Sequence, residues 1–150
     1  MHYSWILDFD LFLKKLKAKY GVFASNGNHE FISGIKDAAQ FLRDANINLL
    51  EDSTFKVENN FYVVGRDDRS KSNFAGQKRK SLKEIISGYN DNLPKILLDH
   101  TPLNLEEAQT NNIALQLSGH SHHGQMFPAS LVTKMIYEIS WGYKMKGSTH

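Results

Sequence analysis

The sequence of 150 residues contains no cysteine. That excludes a disulfide framework and any thiolate metal site, and it allows a reducing compartment. No apolar run approaches the roughly 20 residues that a membrane-spanning helix needs. An excess of one charge is missing as well: 18 Lys and Arg against 16 Asp and Glu leave a net charge of +2. Nucleic-acid binders concentrate basic charge, so no nucleic-acid partner is expected. The opening residues Met1-His2-Tyr3-Ser4-Trp5 do not show the pattern of a signal peptide. Repeats, low-complexity tracts and linkers are absent.

What is present is ordinary globular usage, 41% hydrophobic and 23% charged, in a chain long enough for one domain with a real core. Histidine is the more informative residue. His29, His100, His120, His122 and His123 sit in short stretches rich in Gly, Asn, Asp, Pro or Ser. Such residues punctuate loops, and loops concentrate functional groups.

Periodicity organises the rest of the chain. A helix capped by Asp8 or Asp10 is expected to run to about residue 20, with Phe9, Phe12, Leu13, Leu16 and Tyr20 inward. Val22-Phe23-Ala24-Ser25 reads as a buried strand running into the loop Asn26-Gly27-Asn28-His29-Glu30. A helix over 35–45 and a strand over 47–50 follow. Strands around Asn59-Asn60 predict a hairpin with a two-residue turn, and 66–80 reads as a long loop. Ser81 and Glu84 have capping-box spacing for the next helix. Lys95-Ile96-Leu97-Leu98 is an apolar strand ending at Asp99-His100-Thr101-Pro102. Asn104 is expected to cap a helix to about 110. The strand 113–117 ends at Ser118-Gly119-His120-Ser121-His122-His123. A helix opens at Ser130, and 141–150 reads as strand-like.

The order strand, loop, helix recurs three times, which predicts α/β architecture. Each histidine-bearing loop follows the C-terminal end of a strand, the edge where open α/β sheets bind ligands. Asn28, His29, His100, His120 and His122 can therefore converge. Imidazole nitrogens and an amide oxygen suit a divalent ion such as zinc, manganese or iron.

Gly27-Asn28-His29-Glu30, Leu97-Leu98-Asp99-His100 and Gly119-His120-Ser121-His122 resemble the last three motifs of the calcineurin-like metallophosphoesterases. His123-Gly124-Gln125-Met126-Phe127-Pro128 and Val64-Gly65-Arg66-Asp67-Asp68 resemble the membrane-associated bacterial branch. The resemblance covers nearly the whole chain. It implies part of a four-layer α/β/β/α sandwich and a two-metal centre (Mn, Zn or Fe) that cleaves phosphate esters. By the same resemblance Asn28, His100 and His120 bind one metal and His122 the other. His29 touches the substrate phosphate as general acid or transition-state stabiliser.

The chain departs from the family pattern in one respect. The family begins with Asp-x-His and Gly-Asp-x-x-Asp, and neither occurs here. The expectation is a single incomplete domain, 1–150, truncated at both ends, soluble and inactive as it stands. Membrane association would then come only through missing segments. A non-catalytic metal-binding domain with one Asn/His/His site, or a regulatory phosphate-ligand domain, remains open. Arg66 is a candidate for facing a substrate phosphate, and Asp99 for orienting an imidazole. Lys78-Arg79-Lys80 reads as a solvated loop, and His123 as exposed.

Overall fold

The computed structural model describes residues 12–89 and 92–150. Beyond the helical Phe12 and Leu13, six strands and six helices follow one another among the described residues in the order β1 (Val22–Ser25), α1 (Asn28–Ser33), α2 (Ile35–Asp44), β2 (Ile47–Leu50), β3 (Ser53–Val57), β4 (Phe61–Arg66), α3 (Lys71–Phe74), α4 (Leu82–Ile86), β5 (Lys95–Asp99), α5 (Leu105–Thr110), β6 (Leu115–Leu117) and α6 (Ala129–Ile136), with a 3-10 turn at His122–Gly124 before α6. Strands β1 and β2 pair in parallel as a two-stranded sheet. The second sheet has the order β3-β4-β5-β6, antiparallel at β3-β4 and parallel thereafter.

The second sheet is buried on both faces, and its strands alternate accordingly. Val63 faces a cluster with Leu50 and Val57 between the two sheets, joined by Phe23, Phe61 and Leu98. The next residue, Val64, faces Leu82, Ile85 and Ala108 of α4 and α5, together with Leu97 and Ile113. Each fully buried Val or Leu of this kind contributes about 1.5–3 kcal/mol. Gly65 lets the sheets approach: a Cβ there would lie 2.2 Å from Leu50 Cβ. With α2 against β2 on the outer side of the first sheet, the layers run helix, sheet, sheet, helix. This is a mixed α/β structure consistent with part of the expected sandwich.

Several local expectations change. The start of the first expected helix, with Asp8, Phe9 and Asp10, lies outside the described residues. Of the described part, only Phe12 and Leu13 are helical. Tyr20 is drawn instead to the inter-sheet cluster, with its ring edge-on to Phe61 at 5.7 Å. The hairpin loop has three residues, 58–60, because Val57 pairs with Phe61 and both belong to the inter-sheet cluster. Burial therefore sets the register, and Glu58 takes φ +51°. Asn104 precedes α5 in a left-handed conformation and makes no side-chain cap. Ser81 does accept from Glu84 N, at 3.3 Å, while Glu84 Oε2 accepts from Ser81 N at 2.7 Å. Residues 141–150 are mostly irregular, with an isolated bridge between Lys146 and Thr149, because Gly142 and Gly147 adopt positive φ and break the extended path. Only the end of the chain pairs beside β6, where Gln116 N donates to His150 O and His150 N to Ala114 O.

Candidate metal centre

Asn28 and His29 belong to the first turn of α1, not to a free loop. Gly27 precedes the helix in extended conformation, and its N–H donates to Glu30 Oε2 at 2.8 Å. That carboxylate satisfies one of the donors a helix start leaves open. Asn28 then points toward the loop after β5. His29 is exposed beside it.

His100 follows β5 directly, and His120 lies three residues beyond the end of β6. Because β5 and β6 are parallel and adjacent, their C-terminal ends share one edge. Gly119 N donates to His100 O at 2.9 Å and ties the two loops together. His120 adopts φ +66°, a conformation uncommon for a residue with a Cβ.

Three donor atoms meet at this edge. His100 Nε2 is 2.9 Å from Asn28 Oδ1, His120 Nδ1 is 3.3 Å from the same oxygen, and the two imidazole nitrogens are 3.2 Å apart. The rings meet edge to face, with centroids 5.1 Å apart. One amide oxygen and two imidazole nitrogens in a triangle of this size fit one divalent ion, whose Zn–N bonds would be about 2.0–2.1 Å. Among the described residues no group of three or more His, Cys, Asp or Glu side chains is placed to hold a metal ion. The convergent set depends on the Asn28 amide.

His122 is not brought into this triangle. It lies in the exposed 3-10 turn, where its side chain makes no hydrogen bond or ring contact with the other three. It does border an open cavity of about 890 Å³ that reaches His120 but neither Asn28 nor His100. His123, exposed as expected, bonds Ser140 Oγ through Nδ1 at 2.9 Å.

Arg66 is a correction to the sequence reading. It is buried, and its guanidinium is bound to protein groups: Nη1 and Nη2 donate to the Glu107 carboxylate at 2.7 and 2.9 Å, and Nε donates to Lys80 O at 3.2 Å. A bidentate pair of this kind leaves no donor fork for a substrate. Asp99 likewise pairs with Arg79 at 2.9 Å and with Arg66 at 3.5 Å rather than orienting an imidazole. Burial pushes its carboxyl up, against the pull of Arg79 and Arg66. Arg79, expected in a solvated loop, is thereby part of the ion-pair network.

Residues that the sequence reading did not single out hold the site in place. Gly27 is one, because a Cβ there would lie 3.0 Å from the His100 ring. Asp68 is another, since its buried Oδ2 accepts from Thr101 Oγ1 at 2.7 Å and anchors the residue after His100. Burial is the largest influence on His100 and lowers its pKa, outweighing the opposite pull of Asp68. A neutral imidazole is the form that binds a metal. Asn26, also buried, donates to Asp67 Oδ1 at 2.8 Å and so links the ends of β1 and β4. The spacing of Gly27 and Glu30 and the doublet Asp67-Asp68 carried a signal. The partners of these residues did not.

Comparison with known proteins agrees with the motif reading. An uncharacterized metallophosphoesterase of Helicobacter pylori is 34% identical over 149 residues, covering 96% of this chain and 39% of the relative. An uncharacterized metallophosphoesterase of Aquifex aeolicus is 29% identical over 133 residues, 88% of this chain and 51% of the relative. A Danio rerio protein named as a transmembrane protein with a metallophosphoesterase domain is 28% identical, over 83% of this chain and 31% of its own length. The chain thus spans about two-fifths of the H. pylori relative and about half of the A. aeolicus one. No family model and no solved structure matches. Among the described residues, no helix is long and apolar enough to cross a membrane. The relatives that align over most of this sequence share one family name, and the convergence of Asn28, His100 and His120 agrees with it: the chain belongs to the metallophosphoesterase family.

Proposed function

We propose that this chain carries part of the centre of a metal-dependent phosphoester hydrolase, with Asn28, His100 and His120 holding one divalent ion. The observation that carries the reading is the triangle of donor atoms, 2.9–3.3 Å on its sides. An ion bound there would polarise a phosphoryl oxygen and lower the pKa of a bound water. His29, exposed at the start of α1 beside Asn28, would hydrogen-bond the substrate phosphate and deliver a proton to the leaving oxygen. The two-metal form of the reaction would need a second ion on His122 and on carboxylates of the Asp-x-His and Gly-Asp-x-x-Asp kind, which this sequence does not contain. The substrate would be a phosphate ester.

Calorimetric titration with zinc or manganese tests this reading. One site is expected, and His120→Ala should weaken it at least tenfold. Unchanged affinity in that variant would defeat the assignment. A second reading is a non-catalytic site for one ion. It is favoured by the position of His122 in the exposed 3-10 turn, where its side chain makes no hydrogen bond to the triangle. The two part on turnover in a longer protein that carries the Asp-x-His and Gly-Asp-x-x-Asp carboxylates: manganese-dependent hydrolysis of a nitrophenyl phosphodiester there belongs only to the first.

A further inference from the structure

We propose that Arg69 is a substrate-binding residue that takes a second anionic group of the phosphate ester, so that the preferred substrates are those with two linked phosphates or a comparable second negative charge. The proposal rests on the phosphoester reading above and deepens it. Three arginines, Arg66 at the end of β4 and two in the segment that follows it, gather around Asp99 and Glu107, and two of them are satisfied. Arg66 is held by Glu107 and Asp99, and Arg79 by Asp99 and by Asp67 O. Arg69 is the third. Its Nε is buried with no hydrogen-bond partner, and among the described residues it makes no ion pair.

A partly buried cation beside other cations is costly unless an anion answers it. The molecule shows that cost: burial, then repulsion from Arg79 and Arg66, lowers the pKa of Arg69, against attraction from Asp99 and Glu107. Those two carboxylates are already spent on Arg66 and Arg79. A guanidinium presents a planar fork that matches phosphate oxygens.

Placement connects this charge to the metal centre. Arg69 directly follows Asp68, whose Oδ2 accepts from Thr101 Oγ1 at 2.7 Å, and Thr101 directly follows His100. The loop carrying Arg69 is therefore fastened to the loop carrying a metal-ligating histidine. A phosphate near Asn28, His100 and His120 would leave its neighbouring anionic group to a cation from this side.

The test uses the 150-residue chain with inorganic pyrophosphate and inorganic phosphate as probes. In nitrogen-proton spectra the Arg69 Nε–H signal should shift saturably with pyrophosphate, with or without zinc. On the zinc-loaded chain, Arg69→Gln should weaken pyrophosphate binding at least tenfold and phosphate binding less than threefold. Zinc affinity should stay at the wild-type value, the urea midpoint should not fall, and Arg69→Lys should recover part of the loss. Equal losses for the two anions would overturn the second-anion assignment, as would an Arg69 signal that does not move. Should zinc fail to bind, the phosphoester reading fails, and the zinc-free spectra still decide the question for Arg69.

Discussion

The His100 ring packs where a side chain on Gly27 would have to be: a Cβ at Gly27 would stand 3.0 Å from His100 Nδ1 and Cε1. Gly27 thus clears the space in which the imidazole turns its Nε2 toward Asn28. The backbone φ of Gly27 is −96°, so alanine meets no conformational barrier there and the effect of substitution is steric. Gly27→Ala should lower zinc affinity about tenfold to a hundredfold, the range typical for residues that orient a metal ligand, with little change in urea stability. Calorimetry and denaturation on the same preparation check this. Wild-type zinc affinity would show that the ring has room to move.

Arg66 should be a stability residue. Its side chain is 7% exposed and holds Glu107 bidentately. Its loss leaves buried Asp99 with one cation fewer and Glu107, 29% exposed, without its partner, which costs about 1–3 kcal/mol. Arg66→Met should lower unfolding free energy by that amount in urea, and Arg66→Met with Glu107→Leu should recover much of it. Zinc affinity should be unchanged wherever the variant remains folded. Normal stability with weakened phosphate binding would instead return Arg66 to the substrate.

Asp52 should give a pH-dependent term. Burial pushes its carboxyl up, but hydrogen bonds from Lys71 Nζ, Lys80 N and Asp67 N outweigh burial and hold it below the ordinary value of 3.8. A carboxyl depressed in the folded state binds its proton more readily in the unfolded chain. Its stabilisation is therefore full above the unfolded pKa and is lost as pH falls through the folded one. Asp52→Asn should cost about 1–3 kcal/mol at pH 7. The gap to wild type should narrow as pH drops from 5 to 3. A gap that stays constant over that range would mean the three hydrogen bonds do not favour the ionised form.

For catalysis, the 150-residue chain is not expected to turn over a phosphodiester at a useful rate, because holding both attacking and leaving oxygens takes two ions. In a longer protein that carries the Asp-x-His and Gly-Asp-x-x-Asp carboxylates, His29→Ala should lower kcat about 10²–10⁴-fold while metal content stays at wild type. Manganese-dependent hydrolysis and metal analysis on the same samples measure both. Loss of metal in His29→Ala would show that His29 is a ligand and not a substrate contact.

Much of the fold was legible because its signals are local. The apolar runs at 22–25, 47–50 and 95–98 read as strands from hydrophobicity alone, and Ser81 with Glu84 marked a helix start by spacing. The candidate ligands were legible for the same reason. Asn28, His100 and His120 each follow a strand, and parallel β5 and β6 necessarily end at one edge. Only the tertiary structure decided the rest. Arg66 and Arg79 looked like loop cations until Glu107, forty-one residues from Arg66, and Asp99 were brought against them. The hairpin register followed the burial of Val57 and Phe61 rather than the turn propensity of Asn59-Asn60. His122 shares a motif with His120, yet it lies in an exposed 3-10 turn with left-handed backbone at 120, 122 and 123, and its side chain makes no hydrogen bond to the triangle. The sequence by itself determined which residues are candidates for metal chemistry, because that depends on residue type and on strand ends. Which charges are satisfied within the protein depends on partners distant in sequence, and no local pattern encodes those.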